Sequence, residues 1–112
     1  MNSKYYITTP IYYVNDKPHL GHAYTSLVAD TVARYKKLLK QDVFFVTGTD
    51  EHGQKVEKAA KKNNTSPKEF VDDVSKKFIN LTRLLELTNN DFIRTSEERH
   101  TSYVKTIWEK LE

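Results

Sequence analysis

Residues 42–47 read Asp42-Val43-Phe44-Phe45-Val46-Thr47, a short and nearly unbroken apolar run. A run of this length, rich in β-branched and aromatic residues, predicts a strand buried on both faces, the kind found inside a parallel sheet. Upstream, Tyr5-Tyr6-Ile7-Thr8-Thr9 has the same composition and stops at Pro10, which predicts a short first strand. Between the two, from about Leu20 to Lys40, apolar residues recur at helical spacing: Leu27, Val28, Val32, Tyr35, Leu38 and Leu39. Arg34, Lys36, Lys37 and Lys40 crowd the last turns, where the helix dipole favours cations. A connection of this length is a crossover and not a hairpin, and such units close as right-handed parallel βαβ. The spacing therefore predicts adjacent parallel strands joined by a helix that begins within His19–Ala23.

Outward from this unit, Ile11 to Pro18 reads as a loop, with turn chemistry at Asn15-Asp16. A short helix is expected after Gly53, through Val56, Ala59 and Ala60 to Lys62. Ser66-Pro67-Lys68-Glu69 combines an N-cap, a proline at the first helical position and a glutamate at the third. The helix it opens carries Phe70, Val71, Val74, Phe78, Leu81, Leu84 and Leu85 on one face, a core-packing stripe. Phe92 to Thr95 is a weaker strand. Thr95-Ser96-Glu97-Glu98 reads as a second capping box, opening a helix with Tyr103, Val104, Ile107, Trp108 and Leu111. That helix meets no Gly, Asn or Pro stop by Glu112, and two strands with a marginal third make a poor complete sheet. Residues 1–112 are thus expected to be one portion of a larger domain.

Composition narrows the classes further. At 112 residues a chain can bury roughly 65% of its unfolded surface, enough for a core without staples. With 12% aromatics, three Gly and three Pro, disorder is not expected although only 38% of residues are hydrophobic. There is no Cys, which rules out a disulfide scaffold, a Cys-ligated zinc site and a thiol nucleophile within these residues. No apolar run approaches the ~18 residues that span a bilayer, so no membrane partner is expected. Only Met1-Asn2-Ser3 precede the first strand, too few for a leader, and the expected location is cytoplasmic. A net charge of +3, from 18 basic against 15 acidic residues, permits a polyanionic partner without requiring one.

Two constellations carry chemistry. Pro18-His19-Leu20-Gly21-His22 lies at a helix start, where backbone N–H groups lack intrahelical partners and attract phosphate. His19 and His22, three apart, lie near one face and can add hydrogen bonds, while Gly21 allows a ligand to approach the backbone closely. The alternative is a pair of ordinary surface histidines at a turn. A metal site is disfavoured, because the ligands of H-E-x-x-H stand four apart with a glutamate base. Thr47-Gly48-Thr49-Asp50-Glu51-His52-Gly53 follows the second strand, and ligands of open parallel sheets bind outside the carboxyl ends of strands. Asp50 is placed to meet a cation such as an ammonium group, the alternative being a loop of caps and turn formers. Lys55, Lys58, Lys61 and Lys62 read as a solvated helix face, with RNA contact as the alternative. Tyr12 and Tyr13 fit either a core or a pocket wall.

The string T-T-P-I-Y-Y-V-N-D-K-P-H-L-G-H-A-Y-T (residues 8–25), then F-V-T-G-T-D-E-H-G (45–53) and D-F-I-R-T-S-E-E-R-H (91–100), resembles the methionyl-tRNA synthetase family. The likeness spans essentially the whole chain. His19 to His22 stands where class I synthetases carry their H-I-G-H signature, with Leu20 as a variant. The tetrad alone would fit other class I synthetases or nucleotidyltransferases, whereas the flanking strings are more specific. The resemblance implies an α/β fold, a Rossmann-type parallel sheet with flanking helices, as the incomplete N-terminal half of a class I catalytic domain. It implies activation of methionine with ATP and Mg2+ and transfer to tRNA(Met). On the family pattern His19, Gly21 and His22 would serve the ATP phosphates, and Asp50 would pair with the methionine ammonium. Ile11 and Tyr13 would help form the amino-acid pocket, Ile11 also through its main chain, with Pro10 at the edge. The family's K-M-S-K-S loop, zinc-bearing insertion and anticodon-binding region are absent from these residues, so the 112 residues alone are expected to be inactive. Two other readings stay open: another nucleotidyl-transferring enzyme of the superfamily, or a non-catalytic folded or RNA-binding module.

Overall fold

A computed structural model describes residues 3–112. Met1 and Asn2, on which the expectation of a leader-free start rests, lie outside the described residues. The elements run β1 (Lys4–Thr8), β2 (Tyr12–Tyr13), α1 (Leu20–Leu38), β3 (Asp42–Asp50), α2 (Gln54–Lys62), α3 (Pro67–Leu84), β4 (Asp91–Arg94) and α4 (Glu98–Leu111). Among the described residues no helix is long and apolar enough to cross a membrane.

Every strand pairs with β3, and every pairing is parallel. β1 lies beside residues 42–46 and β2 beside Thr49 and Asp50, while β4 lies beside residues 46–49. Val46 pairs with both Thr8 and Asp91, and Thr49 with both Tyr12 and Arg94, so β4 occupies the edge opposite β1 and β2. The βαβ unit is as its spacing predicts, with α1 beginning at Leu20 and His19 as its N-cap.

Several local expectations need correction. Ile11–Pro18 is not all loop: Pro10 interrupts the edge, but Tyr12 and Tyr13 rejoin it as β2, and Val14 N–H still donates to the Asp50 carbonyl at 3.4 Å. β3 does not stop at Thr47, because β2 and β4 supply ladder partners on both sides as far as Thr49 and Asp50. Nor is it buried on both faces throughout: Phe44 is half exposed and stacks on Tyr6 at 6.2 Å, whereas Thr47 to Thr49 are buried. The second capping box does not form. Glu97 is the N-cap of α4 without a side-chain cap, since the Thr95 hydroxyl accepts instead from the Glu51 N–H at 2.8 Å.

Two clusters form the core. Ala29 and Ala33 of α1 pack on Val43 and Phe45 of β3, with Tyr5 and Ile7 alongside. Small residues on α1 let the helix approach the sheet closely, so its large apolar residues turn outward: Leu27, Val28, Tyr35, Leu38 and, at the C-cap, Leu39 are exposed. The other cluster joins Tyr12 and Val14 to Val56 and Ala60 of α2 and to Phe70, Val71, Val74 and Phe78 of α3. The capping box of Ser66 and Glu69 opens α3 as expected, but its buried stripe ends at Phe78, and Leu84 is exposed. Buried Asp30 pins α1 to the α3–β4 connection, accepting from Thr88 N–H (2.7 Å), the Thr88 hydroxyl (2.6 Å) and Arg34 (2.7 Å).

Candidate functional site

The His19–His22 turn is a capping box built from imidazoles. Gly21 N–H donates to His19 Nδ1 and His19 N–H donates to His22 Nδ1, each at 3.0 Å. The two rings lie 3.9 Å apart. A ring nitrogen that accepts carries no proton, so the neutral tautomer of each ring bears its hydrogen on Nε2. The cap thus converts two histidines into two neighbouring Nε2–H donors at a helix N-terminus. Gly21 makes this possible, because a Cβ there would stand 2.9 Å from His19 Cε1. The closest approach to the Gly21 backbone is therefore made by His19 itself. His22 is wedged edge-on against Tyr12 and Phe78, each 4.9 Å between ring centres. Burial, and secondarily the neighbouring His19, hold the His22 pKa below the ordinary histidine value, which keeps the ring neutral.

Asp50 ends β3 at its carboxyl end and is half buried. Its carbonyl accepts from Val14, but among the described residues its carboxylate meets no hydrogen-bond donor or cation. Other acidic groups differ. Asp72 is paired with Arg94 and Lys68, Asp91 with Arg99, and Asp30 with Arg34, and each carboxyl is held below the usual carboxylate range by its hydrogen-bond donors. Asp50 thus keeps an available carboxylate at the carboxyl end of β3, the end of the strands at which open parallel sheets generally bind ligands.

Tyr12 connects the two constellations. Its backbone pairs with Thr49, beside Asp50, and its buried hydroxyl reaches Ser26 Oγ at 2.8 Å and the His22 carbonyl at 3.4 Å. Its ring stacks on Phe78 at 5.8 Å. Tyr12 belongs with the candidate site, and in a two-residue strand that follows Pro10 no periodicity in the sequence marks it as such. Tyr13 pairs with Asp50 and donates its hydroxyl to the His52 carbonyl at 2.9 Å, folding over Gly53. Gly53 has φ +113°, and a Cβ there would also fall 2.5 Å from the Tyr13 hydroxyl, so only glycine suits this turn. Ile11 is 45% exposed and Pro10 is exposed, so the candidate methionine and phosphate residues line an open surface. Lys55, Lys58, Lys61 and Lys62 are all exposed along α2.

A family profile described as tRNA synthetases class I (M) matches residues 5–112. The methionine–tRNA ligase of Rickettsia bellii is 57% identical over 111 residues, covering 99% of this chain and 22% of that protein. That of Thermotoga maritima is 54% identical over 108 residues, covering 96% of this chain and 17% of its own length. A solved Mycobacterium tuberculosis methionyl-tRNA synthetase in complex with methionyl-adenylate superposes with a TM-score of 0.93 at 39% identity, over 96% of this chain and 21% of that one. A leucyl-tRNA synthetase from Agrobacterium radiobacter shares the fold, with a TM-score of 0.83 at 23% identity, over 98% of this chain and 14% of its own. The chain spans about a fifth of the length of the curated relatives it matches.

Proposed function

The chain belongs to the tRNA synthetases of class I (M), and from that membership we propose that residues 1–112 form the first part of a Rossmann-type catalytic domain that activates methionine. A carboxylate oxygen of methionine attacks the α-phosphorus of ATP in line; the acyl–phosphate bond forms as the bond to pyrophosphate breaks. The methionyl group then passes to the 3′ end of tRNA(Met). No protein nucleophile is required, so catalysis rests on alignment and on stabilising charge as it grows on phosphate oxygens. Asp50 pairs with the methionine ammonium. Ile11 and Tyr13 border the amino acid, with Pro10 at the edge, and the Nε2–H groups of His19 and His22, beside Gly21, serve the phosphates. Mg2+ accompanies ATP as part of the substrate. Among the described residues no three His, Asp or Glu side chains converge as a metal-ligand set.

The observation that carries this reading is the free Asp50 carboxylate joined through Tyr12 to two imidazoles whose outward nitrogens are donors. An anion site and a cation site bridged by one buried tyrosine match a zwitterionic amino acid reacting with a nucleotide. Selection of methionine needs more pocket than this chain provides, since one methylene in an apolar site discriminates by only about 1–3 kcal/mol. The test is ATP–pyrophosphate exchange in a synthetase of full family length carrying residues 1–112. Exchange should require methionine and should fall by about 10²–10³ in His19→Ala or His22→Ala, the usual loss for a removed oxyanion donor. Exchange stimulated by another amino acid, or by none, would replace this reading with a different class I activity.

A further inference from the structure

We propose that Arg94 is a positioning residue, which fixes the Asp50 carboxylate by clamping its neighbour Glu51 between β3, β4 and α3. Glu51 is fully buried, with a side chain 0% exposed. Arg94 Nε donates to Glu51 Oε2 at 2.8 Å and its Nη2 to Oε1 at 2.6 Å, while the same Nη2 also reaches Asp72 Oδ1 of α3 at 2.6 Å. The Thr49 hydroxyl donates to Glu51 at 3.0 Å. Glu51 N–H donates to the Thr95 hydroxyl at 2.8 Å, and Thr95 N–H donates to the Thr49 carbonyl at 3.1 Å. The residues on both sides of Asp50 are thus held by main chain and side chain to the end of β4, leaving the Asp50 carboxylate as the unbound group of the three.

Burying a charged pair is a poor way to gain stability, because desolvation offsets most of the attraction. What a bidentate guanidinium–carboxylate pair supplies is direction, and a third carboxylate on α3 fixes the guanidinium in turn. The charges also close among themselves. Glu51 and Asp72 balance Arg94 and Lys68, which lies 3.0 Å from Asp72, so Arg94 is engaged elsewhere and leaves Asp50 its negative charge. Nothing in the local sequence announces the pair, whose members stand 43 residues apart.

The inference rests on the assignment of Asp50 to the methionine ammonium, and its test separates the two. Dissociation constants for methionine, for its des-amino analogue 4-(methylthio)butanoate and for ATP are measured on a synthetase of full family length carrying residues 1–112. The variants are Arg94→Lys, Glu51→Gln, Asp50→Asn and the pair Asp50→Asn with Arg94→Lys. Arg94→Lys should weaken methionine about tenfold, spare the analogue and ATP, and add nothing in the Asp50→Asn background, because coupled residues are non-additive. Glu51→Gln, which preserves shape, should show the same pattern and serves if the arginine variant does not fold. Equal losses for methionine and the analogue would reduce the clamp to structural support and overturn the proposal, as would an unchanged methionine constant. If Asp50→Asn itself leaves methionine binding intact, the assignment of Asp50 falls and the positioning role falls with it.

Discussion

His22 shows how a single side chain is recruited twice, as a helix cap and as an outward donor. Its Nδ1 accepts from His19 N–H, and its ring is sheltered by Tyr12 and Phe78. The cap needs the neutral ring, because a protonated Nδ1 cannot accept from His19 N–H. Because its pKa lies below the ordinary value of about 6.5, the unfolded chain binds the proton more tightly than the folded one. The stabilisation that His22 contributes is therefore complete above that pH, falls as the pH drops through it, and is lost below the depressed folded value. The depressed carboxyls of Asp30, Asp72 and Asp91 act lower, their stabilisation being lost only as pH falls below about 4. Urea midpoints should accordingly decline from pH 7 to pH 5. His22→Asn keeps an acceptor near the Nδ1 position without a titrating proton and should flatten that decline. An identical slope in the variant would remove the coupling between the cap and the proton.

Among the elements, α4 and β3 stand at opposite extremes. β3 has partners along both edges, whereas α4 buries none of its residues and exposes Tyr103, Val104, Ile107, Trp108 and Leu111. Only its first turn is anchored, through Arg99 to Asp91, to the Phe92 carbonyl and to Glu97. Hydrogen exchange should show opening free energies of roughly 0–1 kcal/mol over 104–111 and values near the global stability in β3. Protection of α4 equal to that of β3 would contradict the packing. The same contrast explains what sequence reveals and what it conceals. The βαβ unit is legible because crossover length and strand composition act locally. The face of α1 is not, because periodicity assigns the core to the largest apolar residues, while close approach to the sheet selected Ala29, Ala33 and Ser26. β2 escapes notice because two residues after a proline leave no period to read. Thr95 was legible as a cap but is consumed by Glu51, a partner set by topology and not by neighbourhood.

In the molecule as a whole, the parallel sheet brings the end of β3 and the start of α1 together, and Tyr12 bridges them. Sequence shows the two constellations through their motifs, His19 to His22 and Thr47 to Gly53. It does not show that Asp50 is left unpaired among the described residues or that Arg94 stands behind it, since each depends on distances between remote segments. The resulting surface is open, in a chain that covers about a fifth of its curated relatives. The decisive observation is a crystal structure of a full-length synthetase carrying residues 1–112 with methionyl-adenylate bound. The methionine nitrogen should lie within about 3 Å of an Asp50 carboxylate oxygen. The Nε2 atoms of His19 and His22 should face the phosphate side of the ligand, with both Nδ1 atoms still accepting from the turn. A methionine nitrogen held by other groups, with Asp50 facing solvent, would contradict the assignment.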